Sequence, residues 1–497
     1  MLRQKVGGVL QKAGLAQASH SGKALLNVLD TYPRDELFQI EEEQLEDFAS
    51  AILQLDERPR FRVLPRVDKF NRFVSCLVYV PRDKFNSDLR ERIGLHLAEA
   101  FNGRVSAFYP AFPEGTLARV HFIFGRDAKD MPTIDAKALE ASVIALAETW
   151  DDRFEMALET QGRVENPGFT PGYKNTNAPE AAVSDAKVIA SLNDETPLAV
   201  RFYQRAGGKK GSEVGIKLFH KGAALPLSRR VPLLENFGFE VVDESTYEAA
   251  DGAVHLHDMT LDLVGGASFD VAKHGDRLQN AFEAVWSGVA ESDGYNALVV
   301  KAGLDWRMAS MFRAYSLYLR QIRSGFSQDY LWQTLQNNSA LVGHLVALFQ
   351  TRFDPAHEGD RAKASDKPLK AIDKALQAVE SINEDTILRR FTNAITSTLR
   401  TNFYQLEEDG SPRRVLAFKL DPQQVTQLPE PRPYREIWVY SPVLEGVHLR
   451  YGSVALGGLR WSDRAQDFRT EVLGLVKAQQ VKNAVIVPEG AKGCFSP

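Results

Sequence analysis

Leu456-Gly457-Gly458-Leu459-Arg460-Trp461-Ser462-Asp463 and, further on, Pro488-Glu489-Gly490-Ala491-Lys492-Gly493 bracket the segment whose reading decides the fold. Ser462-Asp463 can cap a helix whose apolar positions Phe468, Val472, Leu475 and Val476 recur at helical spacing and which is predicted to end near Gln480. Ala484-Val485-Ile486-Val487 is continuously apolar, as a strand covered on both faces is, and residues 488–493 read as the turn at its carboxyl end. A helix feeding a doubly covered strand is α/β architecture, which places ligands at the carboxyl ends of its strands. A lysine flanked by glycines there can be approached closely, and burial by a ligand would lower its pKa from about 10.4 toward the roughly 7–8 of a general base. A solvated loop lysine is the plainer alternative. Gly457-Gly458 lets the backbone pass close to a neighbour or ligand, and Arg460 and Lys482 offer positive charge suited to carboxylates. An extended chain would hold Lys482 and Lys492 up to about 33 Å apart, so the chain must fold back if both serve one site.

Working outward, residues 413–497 form one division, with strands predicted at 415–420, 436–440 and 447–450. Residues 301–412 turn helical: Phe312, Tyr315, Leu319 and Ile322 share one face, as do Leu369, Ile372, Leu376 and Val379, and then Ile387, Phe391, Ile395 and Leu399. Packing between helices explains this stripe better than a ligand box does. Residues 196–300 read as β-β-α-β-β, with strands at 198–203, 214–220, 239–243 and 253–259 and a helix at 227–236 capped by Gly238. That order suits a small antiparallel sheet with helices on one face. Residues 60–162 have a related rhythm, with strands at 73–80, 104–109 and 117–124 and a helix capped by Asn86-Ser87 that carries Leu89, Ile93 and Leu97 on one face. Residues 163–195 read as a linker with a short helix, and residues 1–59 as a helical segment. The expected fold class is therefore a multidomain α/β chain.

With 44% apolar residues among 497 the chain can bury several cores, and a net charge of -5 gives no electrostatic reason to expect nucleic acid or a membrane surface as partner. The two cysteines, Cys76 and Cys494, suggest neither a disulfide framework nor zinc, and no metal site is expected. The amino terminus has no signal-peptide core and no apolar run approaches the ~20 residues of a bilayer span, so the expectation is a soluble, cytoplasmic protein. Alternation in a strand puts His255 and His257 on one face, but a third ligand is missing and a solvated strand face is the preferred reading. His20, His121 and His448 show no partner either. Gly207-Gly208-Lys209-Lys210-Gly211 lacks P-loop spacing and reads as a hairpin turn, and no G-x-G-x-x-G opens a helix after a strand.

Residues 455–463, the helical run Glu471-Val472-Leu473-Gly474-Leu475-Val476-Lys477-Ala478-Gln479-Gln480-Val481-Lys482-Asn483-Ala484-Val485 and Gly490-Ala491-Lys492-Gly493 resemble, in order and spacing, the large bacterial NAD-dependent glutamate dehydrogenases. Tyr32-Pro33-Arg34-Asp35-Glu36-Leu37-Phe38, Pro232-Leu233-Leu234-Glu235-Asn236 and Tyr440-Ser441-Pro442 extend the likeness over nearly the whole chain. The resemblance implies oxidative deamination of L-glutamate to 2-oxoglutarate and ammonia, with NAD as cofactor. In that chemistry Lys492 matches the catalytic lysine, which activates water and stabilises the resulting oxygen. Gln479 and Lys482 match positions that hold the substrate carboxylate, and Gly457, Gly458 and Arg460 line the same pocket. The resemblance also implies that residues 60–162 and 196–300 are ACT-like (ferredoxin-like) modules open to an amino-acid effector. Residues 413–497 then open the catalytic substrate-binding α/β domain of an enzyme whose full length is a homo-oligomer.

Two positions depart from the family. Leu456 stands where it carries a basic residue, removing a charge-assisted contact worth about 1.5–3 kcal/mol, and Cys494 replaces a second glycine. The family's proton-shuttling aspartate and dinucleotide-binding domain should lie further on, so the chain is expected to hold no cofactor-binding residue and to be an inactive piece. The alternative is a non-enzymatic amino-acid-binding regulatory fragment or the product of a disrupted gene.

Overall fold

The computed structural model describes residues 2–14, 19–113, 115–126, 133–205, 213–265, 269–453, 456–482 and 490–496. They form two compact units, one of residues 1–163 with 178–183, the other of 164–177 with 184–497. No helix among the described residues is long and apolar enough to cross a membrane.

In the first unit four helices, α1 (Leu2–Lys12), α2 (His20–Thr31), α3 (Arg34–Gln39) and α4 (Glu42–Glu57), precede a sheet module. The module runs β1 (Arg62–Val67), β2 (Phe73–Pro81), α5 (Ser87–Ala100), β3 (Arg104–Ala111), β4 (Leu117–Gly125), α6 (Ala136–Ala147), and α7 (Trp150–Gln161) follows. The antiparallel sheet has the order β1-β2-β4-β3. Alternation along β2 explains its unbroken apolar run. Cys76, Val78 and Val80 pack with Leu89, Ile93 and Leu97 of α5, whereas Leu77 and Tyr79 join Leu25, Leu29 and Leu45 of the amino-terminal helices. Asn86 caps α5 as predicted, its side chain accepting from Leu89 N at 2.8 Å. Strand β1 was not foreseen because Pro65 interrupts its pattern, and its place at the sheet edge is where proline is tolerated. Arg66 on β1 forks onto Glu36 of α3 at 2.5 and 2.8 Å, both side chains buried. His121 does have a partner, the Ser75 hydroxyl at 2.8 Å.

Residues 163–195, expected as a linker with a short helix, contain two helices, α8 (Pro171–Thr176) and α9 (Pro179–Ser191). In the second unit β5 (Leu198–Gln204), β6 (Glu213–Lys221), α10 (Leu227–Asn236), β7 (Phe239–Ala249), β8 (Val254–Leu263) and α11 (Val271–Trp286) repeat the arrangement of the first sheet module, with the order β5-β6-β8-β7. Reading the first strand of either sheet as if it came last yields β-α-β-β-α-β, so both modules have a ferredoxin-like sheet with permuted connectivity. Gly238 ends α10 at φ +89 with its N–H on Glu235 O at 2.8 Å. One face of this sheet is apolar; the other carries Tyr203, Lys217 and Asp258. Tyr173 of α8 is fully buried beside that face and donates to Asp185 of α9 at 2.6 Å, and Lys217 donates to the same carboxylate. A tyrosine so placed anchors a segment whose composition alone read as loop.

His257 is buried, not on a solvated face: its Nε2 accepts from Leu225 N at 3.2 Å, so Nδ1 carries the proton and faces Glu244 at 3.1 Å. Burial pushes its pKa down to about 4, with Arg230 adding to the effect. Among the described residues no three His, Cys, Asp or Glu side chains are grouped to hold a metal. Residues 207–211 lie outside the described residues.

The remainder is helical and then sheet: α12 (Ala297–Lys301), α13 (Trp306–Gln321), α14 (Gln328–Asn337), α15 (Ser339–Phe353), α16 (Arg361–Leu376), α17 (Ile382–Ser397), β9 (Thr398–Thr401), β10 (Leu416–Leu420), β11 (Arg435–Ser441), β12 (Leu444–Arg450), β13 (Leu456–Trp461), α18 (Phe468–Lys482) and β14 (Gly490–Ser496). The strands form one sheet of order β13-β14-β12-β11-β10-β9. The change of pattern at residue 413 is not a change of core. Helix α17 runs straight into β9, and Tyr315, Phe349 and Phe391 share one cluster with Phe418, Trp438 and Val447. Helix α13 is buried nearly all round, and Trp438 of β11 donates to its Ala314 carbonyl at 2.8 Å.

Candidate active site

The predicted site residues fall on three adjoining elements, the edge strand β13, its neighbour β14 and the helix α18 between them in sequence. Residues 490–493 form the start of a strand, where a turn was expected. Glycine and lysine spaced this way look like a turn locally, but β14 is held by two partners distant in sequence, β12 antiparallel and β13 parallel. The parallel register sets Gly457 opposite Ala491, Gly458 opposite Lys492 and Arg460 opposite Cys494.

Both glycine features have steric causes. A Cβ on Gly457 would sit 1.4 Å from the Ala491 carbonyl oxygen, and one on Gly493 would meet Leu459 Cδ2 at 2.5 Å and His448 Cδ2 at 3.1 Å. Gly458 differs: the nearest atom to its virtual Cβ is Lys492 Nζ, at 3.9 Å. The lysine amine therefore lies against the bare backbone of the second glycine. Alternation buries Ala491 and Gly493 and leaves Lys492 between them partly exposed.

Arg460 is half exposed and pairs with Glu471 of α18 at 2.8 Å. The other oxygen of Glu471 accepts from the Ser462 hydroxyl at 2.7 Å. Ser462 thus does not start a helix cap as predicted; α18 begins at Phe468, and the Ser462 N–H pairs with Phe495 O at 2.8 Å. Glu471, which sequence reading passed over, ties β13 to α18. The base of α18 is fixed by a second, deeply buried pair, Arg469 on Glu436 of β11 at 2.7 and 2.8 Å, and by Gln321 of α13, which accepts from Arg469 N at 3.1 Å and donates to Ala465 O at 2.7 Å. Phe468 stacks on Trp438 with ring centroids 5.9 Å apart.

Gln479 and Lys482 lie in the last turn of α18, three residues apart. Helix α18 packs on β14. The strand expected at 484–487 lies outside the described residues. Cys494 is buried, and burial pushes its thiol pKa up with the Glu471 charge adding to the shift, an inert rather than reactive setting. His448 on β12, beside Gly493, is held below its ordinary pKa by burial and by Arg450.

In this strand pair the amine of Lys492 lies against the bare backbone of Gly458. Comparison with known proteins bears on what this arrangement serves. Residues 371–497 match the catalytic domain of bacterial NAD-glutamate dehydrogenase, beginning within α16. Other glutamate dehydrogenase domains match in order: helical motif 1 over 1–58, the ACT2 domain over 62–151, the ACT3 domain over 197–274 and helical motif 3 over 290–355. The chain is 44% identical to an NAD-specific glutamate dehydrogenase of Halomonas elongata, with all of this chain and 31% of that protein aligned. It is 43% identical to that of Pseudomonas aeruginosa, again over its whole length and 32% of the relative, and 36% identical to that of Mycobacterium tuberculosis over 96% of the chain and 31% of the relative. The chain thus spans about a third of the length of these relatives. Across that span it belongs to the bacterial NAD-glutamate dehydrogenase family.

Proposed function

We propose that the segment carrying Gly457, Gly458, Arg460, Gln479, Lys482 and Lys492 is the substrate face of an enzyme that oxidatively deaminates L-glutamate to 2-oxoglutarate and ammonia with NAD. The observation that carries this reading is the parallel β13–β14 register, which sets the Lys492 amine against Gly458. Bare glycine backbone leaves room for a substrate and a water beside the amine, and Lys492 takes the proton of the water that attacks the substrate's Cα. Gln479 and Lys482 hold the substrate carboxylate. Arg460, tethered through Glu471, lines the same pocket with its exposed half. Leu456 offers no charge to the substrate's side-chain carboxylate, so weak binding of glutamate is part of the proposal.

Among the described residues, the junction from β13 to α18 does not fit the diphosphate of NAD. The junction from β13 to α18, Ser462-Asp463-Arg464-Ala465-Gln466-Asp467, has no glycine and two carboxylates where a diphosphate would need bare, positive backbone. No step is therefore routed through the nucleotide on this chain. The two ferredoxin-like modules take an amino-acid effector, and the enzyme assembles as a homo-oligomer; the ACT2 and ACT3 matches support the first of these.

Calorimetric titration of the chain with 2-oxoglutarate and with glutamate tests the reading. Heat of binding that Lys492→Ala removes is the expected result, and equal heats for both proteins would overturn it.

A further inference from the structure

The stretches 232–236 and 440–442, marked in the sequence by family likeness alone, converge on one short segment. Glu291, Ser292 and Asp293 lie between α11 and α12, just after the second sheet module. Asn236 of α10 donates to the Ser292 hydroxyl at 3.0 Å, and Tyr440 of β11 donates to Glu291 Oε2 at 2.5 Å. Arg313 of α13, fully buried, forks onto Asp293 at 2.6 and 2.7 Å and reaches the Glu291 carbonyl at 3.2 Å. Module, helix and six-stranded sheet thus meet at three consecutive residues.

The charges at this meeting point do not balance. Seven residues along the same face of α13, Arg320 donates to both oxygens of Glu445, each at 2.7 Å. Glu445 stands opposite Tyr440 in the β11–β12 register and opposite Ser496 of β14. Cross-strand packing therefore sets it beside the ring whose hydroxyl holds Glu291. Three carboxylates, those of Glu291, Asp293 and Glu445, share two guanidinium groups, those of Arg313 and Arg320. Asp293 and Glu445 take the close bonds. Among the described residues the Glu291 carboxylate keeps only the Tyr440 hydroxyl at hydrogen-bond distance, and Arg313 Nε stands 3.6 Å away. The surplus negative charge falls on Glu291, whose side chain is half-buried.

The titration behaviour agrees with this count. Burial raises the pKa of Glu291, with the Asp293 charge adding, while the Tyr440 bond, Arg313 and Arg320 oppose the rise. Burial raises that of Glu445 too, with Glu291 adding and Arg320 opposing. Burial also lifts the Tyr440 phenol well above its ordinary value, so it stays a neutral donor.

We propose that Glu291 is the proton-binding member of a junction between the second sheet module and the β12–β14 strands, drawn tight when Glu291 is protonated and loosened when it ionises. Proton uptake removes the surplus charge, and each guanidinium group then answers one carboxylate. A protonated carboxyl still has an acceptor for Tyr440. Folded Glu291 keeps its proton to higher pH than the unfolded chain does, so its contribution is fully present below about pH 4.3 and is lost as pH rises through the raised folded value. The loosening reaches the support of α18, because Arg320 and Gln321 both donate to the Ala465 carbonyl, at 3.4 and 2.7 Å.

The test compares the whole chain with Glu291→Gln, which copies the shape and neutrality of the protonated side chain. Hydrogen exchange by mass spectrometry at matched pH reads α10 and the β11–β12 hairpin peptide by peptide. At about pH 8 the variant is expected to exchange more slowly than wild type in both elements, and the difference to shrink as the pH falls toward about 4.3, where wild type is protonated as well. In a Tyr440→Phe background the difference should close at a higher pH, because the lost bond is one that favours the carboxylate. Faster exchange in Glu291→Gln, a difference that does not change with pH, a change confined to residues 291–296, or a closing point that Tyr440→Phe leaves unmoved would each overturn the proposal.

Discussion

Replacing Glu436 by glutamine keeps the shape of a side chain that is 0% exposed and removes the charge facing Arg469, which is 1% exposed. The wild-type pair makes two bonds, at 2.7 and 2.8 Å, and burial of the guanidinium is offset chiefly by the Glu436 charge. Removing one partner of a buried pair costs about 3–5 kcal/mol because the other charge is left uncompensated. Glutamine retains one acceptor oxygen, which places Glu436→Gln near the lower end, about 3 kcal/mol. The effect should be local first: Arg469 opens α18, so its loss of anchorage frees residues 465–476 before the rest of the sheet. The assay is hydrogen exchange of those amides by mass spectrometry, together with urea unfolding read from signals specific to this unit, since a chain of two units need not unfold in one step. The double variant Glu436→Leu with Arg469→Met should recover most of the loss, as apolar replacements of buried pairs are often neutral. Exchange and midpoint for Glu436→Gln within about 0.5 kcal/mol of wild type would refute the claim that this pair anchors α18.

Other consequences are as specific. His257 has a folded pKa of about 4, below the ordinary histidine value, so the unfolded chain binds more protons between the two. The stability it contributes is fully present above about pH 6.5 and is lost as pH falls toward 4, up to about 3 kcal/mol; in His257→Gln, urea midpoints measured across that window should lose this slope. Gly457→Ala forces a methyl onto the Ala491 carbonyl and should destabilise by about 1–3 kcal/mol, whereas Gly458→Ala should leave the melting temperature nearly unchanged because its methyl meets only the flexible end of Lys492. Tyr173→Phe removes a buried donor to the Asp185 carboxylate and should lower stability by about 1.5–3 kcal/mol in chemical denaturation.

Local signals served well wherever the chain pairs with near neighbours. The β-β-α-β-β order of residues 198–263, the Asn86 and Gly238 caps and the apolar helix faces were all legible, because each rests on spacing within a few residues. Strand β1 was hidden by Pro65, which only an edge strand accommodates, and edge position is a property of the whole sheet. The buried roles of Tyr173, Asp185 and His257 were hidden for a related reason: polar side chains read as exposed until their partners are known. At the candidate site the motif supplied candidates, but not their arrangement. Gly490-Ala491-Lys492-Gly493 has the composition of a turn, and it becomes a strand only because β12 and β13, both remote in sequence, flank it. Glu471 and Glu436 were given no role by the sequence, and their importance comes from the arginines they meet in space.

The central claim is that the β13–β14 pairing puts Lys492 where glutamate chemistry is done. Lysine amines labelled by reductive 13C-methylation give one NMR signal each, and the signal missing from Lys492→Ala identifies this residue. The account predicts that 2-oxoglutarate shifts the Lys492 signal in saturable fashion and that Gly458→Val, which fills the space beside it, abolishes the response. A Lys492 signal that stays unmoved while 2-oxoglutarate perturbs lysines elsewhere would contradict it.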